Sequence, residues 1–286
     1  MSTSGVPSPS RRVALGAGGA LGAGALLAAA GCTSPAPDGS ATNTPAATSS
    51  AASTSAPSTT GSTSPPSGSP SVTAAAGDPQ PSVSRTRGPD IVHGPRNRDE
   101  VALTFHGQGT SVLTDAVRAA CHAASASVTV FAVGTWVQGD PSQALGLQEA
   151  GHELGNHTWS HQTMPRLTAV EARSEVRRGR DELTRALGAA GWWFRPSGTP
   201  SSTARIRAAA WAAGYARCIS YDVDPRDYED PGARVVRSRV RRATRAGSIV
   251  SLHLGHPGTA EALPGILSDL AAVGLQPVTL SRLLRD

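Results

Sequence analysis

From about residue 99 to the C-terminus, short apolar runs alternate with longer stretches of helical period. Residues 101–105, 127–133, 216–221 and 248–252 are mostly β-branched or aromatic and are bounded by Gly, Asp or Pro, the pattern of buried strands. Between them, 112–124, 141–150, 168–188, 200–213, 232–246 and 259–273 carry helical periodicity. Several open on Asp, Ser or Thr and are followed by Gly, as capped helices are. Strand and helix in alternation predict an α/β fold, a parallel sheet or barrel. In such folds the chemistry gathers beyond the carboxyl ends of the strands.

Upstream the pattern changes twice. Residues 1–31 have the make-up of an export signal: the pair Arg11-Arg12 precedes an uncharged Gly/Ala/Leu run. The pair resembles a twin-arginine signal, and the ending Leu27-Ala28-Ala29-Ala30-Gly31-Cys32 resembles a lipoprotein signal. The expectation is a lipid anchor on Cys32 and an extracytoplasmic location at the membrane, with a cleaved secretory signal as the alternative. Residues 32–88 are almost wholly Ser, Thr, Pro, Ala and Gly. A segment with so little apolar surface cannot offset the entropy of ordering and is expected to be a disordered linker. Its random-coil reach is ~40 Å. That leaves 89–286 as the folded domain, enough residues for one full core.

Composition removes several chemistries. All 26 basic residues are Arg, and none is Lys. A P-loop, a pyridoxal-phosphate Schiff base and a protein kinase each need a lysine. A net charge of +5 with 16% charged residues gives no footprint for nucleic acid. Three cysteines exclude a disulfide scaffold, and Cys121 and Cys218 are expected as buried thiols. No Gly-x-Ser-x-Gly elbow occurs. A paired-carboxylate glycosidase built from Asp222, Asp224 and Asp227 would leave the histidines without a role.

Six of the eight histidines (His106, His152, His157, His161, His253 and His256) lie at or just after predicted strands. His157 and His161, four residues apart, can face one ion, and neutral imidazole is a common zinc ligand. Further polar markers follow at strand ends: Phe194-Arg195-Pro196-Ser197-Gly198, Asp222 to Tyr228, and Leu252-His253-Leu254-Gly255-His256.

With these segments in this order, the chain resembles the NodB-type polysaccharide deacetylases, metal-dependent hydrolases on a distorted (β/α) barrel. That family removes N- or O-acetyl groups from glycans such as peptidoglycan and chitin. The resemblance implies His157 and His161 as ligands of a divalent metal, most simply Zn2+. It implies Arg195 as the residue that orients the catalytic base, His253 as the catalytic histidine and Asp224 as its acidic support.

The family's first strand ends in Thr-Phe-Asp-Asp-Gly, where the first Asp is the base and the second a metal ligand. Here the stretch reads Thr104-Phe105-His106-Gly107-Gln108-Gly109, so both carboxylates are missing. Three readings follow. His106 completes a three-histidine metal site; or His106 is the base, with water or a carboxylate such as Asp222 beside the other two ligands; or the domain binds glycan without catalysis. His152 and Glu153 are read as bracing a strand end, and His256 has no assigned role. Trp159, Trp192, Trp193 and Tyr228 are open to either sugar stacking or core packing. The Arg stripe of 232–246 reads as a solvated helix face.

Overall fold

The computed structural model describes residues 80–286. The expected signal, Cys32 and most of the linker lie outside them. Among the described residues no helix is long and apolar enough to cross a membrane.

The chain runs β1 (Glu100–Gly107), α1 (Ser111–Ala123), β2 (Thr129–Ala132), α2 (Gly134–Gly139), α3 (Pro141–Glu149), β3 (Glu153–Asn156), α4 (Ala169–Leu187), α5 (Ala204–Ala212), α6 (Ala233–Ala243), β4 (Ile249–His253), α7 (Pro257–Ala272), β5 (Gln276–Pro277) and α8 (Leu280–Leu283). The sheet order is β3-β2-β1-β4, with β5 beside the start of β1, and every pair is parallel. Single-residue bridges continue the ring: Asn156 to Phe194, Phe194 to Cys218, and Val223 to Val250 on β4. The result is a distorted (β/α) barrel whose far wall is made of bridges instead of strands.

That wall is where the expected strand at 216–221 fails to form. Arg195 donates to the carbonyls of Ile219 (3.3 Å) and Ser220 (3.1 Å), taking acceptors that a ladder would have used. Glu153–Asn156, not expected as a strand, forms one, since Gly155 and Asn156 hide its apolar signal. Ordered structure also starts before the border drawn at residue 89. Ser82–Ser84 forms a 3-10 turn, Ser84 is buried and Val83 packs on the core.

Strand alternation sorts the side chains into two layers. Val101, Leu103 and Phe105 of β1, with Val130, Val250 and Leu252, face the helices in the larger core. The alternate set faces the barrel interior: Ala102, Phe131, Trp193 and Ile249 fill its middle. A Cβ on Gly155 would lie 3.0 Å from the Phe131 ring and from the Trp193 carbonyl, so glycine there makes room for that filling. Continuing the alternation, His106, Ser251 and His253 come to the carboxyl-end mouth, while Thr129 and Glu153 close the opposite end.

The longest helix, α4, shows the local logic best. Thr168 and Glu171 form a reciprocal capping box, and Gly188 ends the helix in the left-handed conformation (φ 79°). Gly179 on its inner face lies where a Cβ would meet Thr158 at 2.8 Å, so α4 seats directly against the loop that carries the histidines.

Candidate active site

Three histidines meet at the mouth. One ring nitrogen from each of His106, His157 and His161 lies within 4.8 Å of the others, and among the described residues this is the cluster suited to a metal ion. His106 is the penultimate residue of β1, whereas His157 and His161 come from the loop after β3. The loop holds its shape at a cost: Thr158 (φ 71°) and His161 (φ 57°) both sit in the left-handed region. Such backbone costs roughly 1–3 kcal/mol per residue, and its surroundings must hold it in place. They do so here, because Asn156 Oδ1 accepts from the Thr158 N–H (2.9 Å) and the Gly134 N–H donates to the Thr158 carbonyl (2.9 Å).

Tautomers follow from the partners. His157 Nδ1 faces the Arg195 carbonyl at 2.8 Å. A carbonyl only accepts, so the proton sits on Nδ1 and Nε2 keeps its lone pair for the site. Such a partner on the outer nitrogen is the usual way a ligating imidazole is oriented. His106 Nδ1 lies 2.8 Å from that bare Nε2, and His106 Nε2 lies 2.9 Å from the Ser251 hydroxyl. The two facing nitrogens need a proton or a cation between them. Burial pushes both His106 and His157 well below the usual imidazole range, and burial lowers His161 as well. Neutral imidazole is the ligating form, so this donor set fits a divalent ion of borderline softness such as zinc.

Beside the cluster the His253 ring stacks on His106, with centroids 4.2 Å apart and planes 17° apart. His253 Nδ1 donates to Asp227 Oδ1 at 2.8 Å. Asp227, only 1% exposed, also accepts from the His253 backbone N–H (2.8 Å) and the Thr259 hydroxyl (2.6 Å). The carboxylate that meets His253 is therefore Asp227, in place of the expected Asp224. Asp224 Oδ1 instead accepts from the Arg226 N–H (2.8 Å). Arg226 (φ 52°) and Asp230 (φ 51°) bracket the short turn between them, and this left-handed pair turns Asp227 inward. Nothing in the spacing signals that, although non-glycine residues at positive φ are the structural mark of it.

Arg195 is buried at the expected place, its guanidinium 4.3 Å from the Phe131 ring centre. Its hydrogen bonds go to the Ile219 and Ser220 carbonyls, not to His106, and its Nη1 has no hydrogen-bond partner among the described residues. Burial lowers its pKa to about 9. Asp222 is removed as a candidate ligand: it accepts from Arg96 (2.8 Å), the Ser248 hydroxyl (3.1 Å) and the Ile249 N–H (2.8 Å) at the start of β4. A Cβ on Gly107 would lie 2.7 Å from Val130 Cγ1 and 2.8 Å from the Phe131 carbonyl, so a carboxylate there would have to displace β2. Sequence reasoning did not find Ser251 or Thr259, because a hydroxyl inside an apolar strand or helix start carries no signal of its own.

The remaining features separate cleanly. Cys121 and Cys218 are buried free thiols, each pushed up to about 12 by burial. Trp193 is core and donates to Glu153 (2.9 Å). Tyr228 is exposed beside His253, with ring centres 5.3 Å apart. His256 pairs with Asp230 at 2.8 Å on the rim.

The polysaccharide deacetylase family model matches residues 93–217. A peptidoglycan-N-acetylglucosamine deacetylase of Bacillus cereus is 30% identical over 195 residues, covering 67% of this chain and 91% of the relative. A peptidoglycan-N-acetylmuramic acid deacetylase of Bacillus subtilis is 27% identical over 187 residues, 65% of this chain and 39% of that protein. Among solved structures, a CE4 family pseudoenzyme from Bacillus anthracis superposes with a TM-score of 0.64 at 26% identity, covering 68% of each chain. A mutant of that pseudoenzyme with restored enzymatic activity superposes equally well. The family match and near-complete coverage of the first relative establish that this chain belongs to the polysaccharide deacetylase family.

Proposed function

We propose that the protein is a metal-dependent hydrolase that removes acetyl groups from a cell-wall polysaccharide of the peptidoglycan or chitin type. Its proposed metal ligands are His106, His157 and His161. The observation that carries this reading is the convergence of three imidazoles within 4.8 Å beside a His253–Asp227 pair. When bound, a divalent ion would supply a Lewis acid for the acetyl carbonyl and acidify water.

The chain's own residues do the rest. With its Nδ1–H on Asp227, His253 has Nε2 as the atom that holds and delivers a proton to the departing nitrogen or oxygen. Asp227 fixes that tautomer and stabilises the imidazolium. Ser251 and the stacked His253 hold the His106 ring, and the Arg195 carbonyl holds His157. Arg195 adds buried positive charge under the mouth. The signal-like residues 1–31 and Cys32 support action outside the cytoplasm from a lipid anchor.

A specific observation favours a second reading, glycan binding without hydrolysis. Both family carboxylates are absent, the Arg195 Nη1 has no acceptor among the described residues, and one similar structure is of a pseudoenzyme. Metal content and acetate release from peptidoglycan, measured on untagged wild type and His106→Ala, separate the two. Metal in the wild type that is lost with acetate release in His106→Ala supports the three-histidine site. A metal-free, inactive wild type overturns the hydrolase.

A further inference from the structure

Helix α4 carries two buried glutamates two turns apart on one face, Glu175 (4% exposed) and Glu182 (7% exposed). Glu182 is paired within the helix: Arg185, three residues on, donates to it through Nε (3.1 Å) and Nη2. Arg178 stands three residues beyond Glu175 but lies over the Trp159 ring instead, its Cζ 4.2 Å from the centroid. Among the described residues Glu175 therefore has no cationic partner.

Its hydrogen bonds all come from the loop that carries the histidines. Glu175 accepts from the Ser160 N–H (2.9 Å), the Ser160 hydroxyl (2.8 Å) and the Gln162 amide (3.3 Å), which belong to the two chain neighbours of His161. Burial lowers the pKa of the His161 ring, and the Glu175 charge works against that lowering, so the carboxylate is felt at the ligand itself. A carboxylate taken out of water costs free energy unless positive charge compensates it.

The histidine cluster has the opposite deficit. Imidazole ligates in its neutral form, so three of them balance none of the charge of a divalent ion. Both carboxylates expected at the end of β1 are absent, Asp227 is committed to His253, and buried Arg195 adds positive charge. Among the buried carboxylates, Glu175 is the one bonded to the loop of His157 and His161.

We propose that Glu175 is a positioning residue that supplies the counter-charge of the three-histidine site and, through Ser160 and Gln162, holds His161 toward a divalent cation. This role rests on the three-histidine reading of the site, to which it adds the charge that the ligands lack.

The test uses the full untagged chain, stripped of metal and titrated with zinc against a competing chromophoric chelator near neutral pH. One zinc per wild-type chain is expected. Glu175→Gln keeps the shape of the side chain and removes its charge, and should weaken zinc about 10- to 100-fold, the range for groups that support metal ligands. Ser160→Ala deletes one hydrogen bond and keeps the charge, so it should weaken zinc less than Glu175→Gln does. Glu182→Gln, on the same helix but with its charge already paired, should bind zinc as the wild type does. Cobalt(II) in Glu175→Gln should absorb at the wild-type wavelengths, because the three ligands are unchanged. Wild-type affinity in Glu175→Gln, an equal loss in Ser160→Ala or Glu182→Gln, or shifted cobalt bands would reduce Glu175 to a brace and overturn the proposal, with the metal site left standing. A wild type that takes no zinc overturns the counter-charge and the metal-dependent hydrolase together.

Discussion

The two ends of the barrel are built from the same interior-facing positions, yet Glu153 at one end and the histidine cluster at the other meet burial in opposite ways. At the closed end Glu153 has its oxygens engaged by Thr129, Trp193 and Ser281, and burial raises its pKa. At the mouth His106 and His157 face each other across 2.8 Å, and Thr158 and His161 hold left-handed backbone. A polar group with all its partners inside the protein is a brace. Groups held in place by strained backbone, with lone pairs still directed at a common point, await something from outside. Buried histidine or glutamate alone does not distinguish site from scaffold; the state of its hydrogen bonds does.

That contrast can be broken in order of effect. His253→Ala should lower acetate release about 10²–10⁴-fold, the usual worth of a general acid or base, while metal content stays at the wild-type level. Equal loss of metal would make His253 a ligand and redraw the site. Asp227→Asn should cost on the order of 10²-fold in kcat, whereas Asp224→Asn should change it less than about twofold; the reverse order would restore Asp224 as the support. At the closed end Glu153→Ala should cost about 2–4 kcal/mol in urea unfolding, because it strands the Ser281 N–H and the Thr129 hydroxyl, and leave activity per folded molecule intact.

The buried His152 gives a pH signature. Burial lowers the pKa of His152 to about 4, below the ~6.5 of an unfolded histidine. The unfolded chain therefore binds the proton more readily, and this contribution to stability is complete above about pH 6.5 and is lost as pH falls toward 4. His152→Gln should flatten the decline in Tm across that window, and an unchanged slope would place His152 in a wetter setting. The smallest effect belongs to Arg226→Gly. Relief of its left-handed backbone, offset by the lost Arg226–Glu229 ion pair, should shift stability by no more than about 1 kcal/mol.

Strand alternation along 101–107 already sends His106 inward. The four-residue spacing of His157 and His161 already pairs them, and the order of segments already names the family. These depend on neighbours in the chain and on a fixed period, so they are legible in one dimension. The tertiary structure decided what spacing cannot reach. His106 meets Ser251 across 145 residues of chain. Asp227 displaces Asp224 because two left-handed residues turn the loop, Asp222 is consumed at the foot of β4, and the wall at 216–221 is reduced to single bridges, with the Ile219 and Ser220 carbonyls given to Arg195. Which carboxylate meets which imidazole is settled by closure of the barrel, where each buried polar group takes the partner that packing brings within 3 Å.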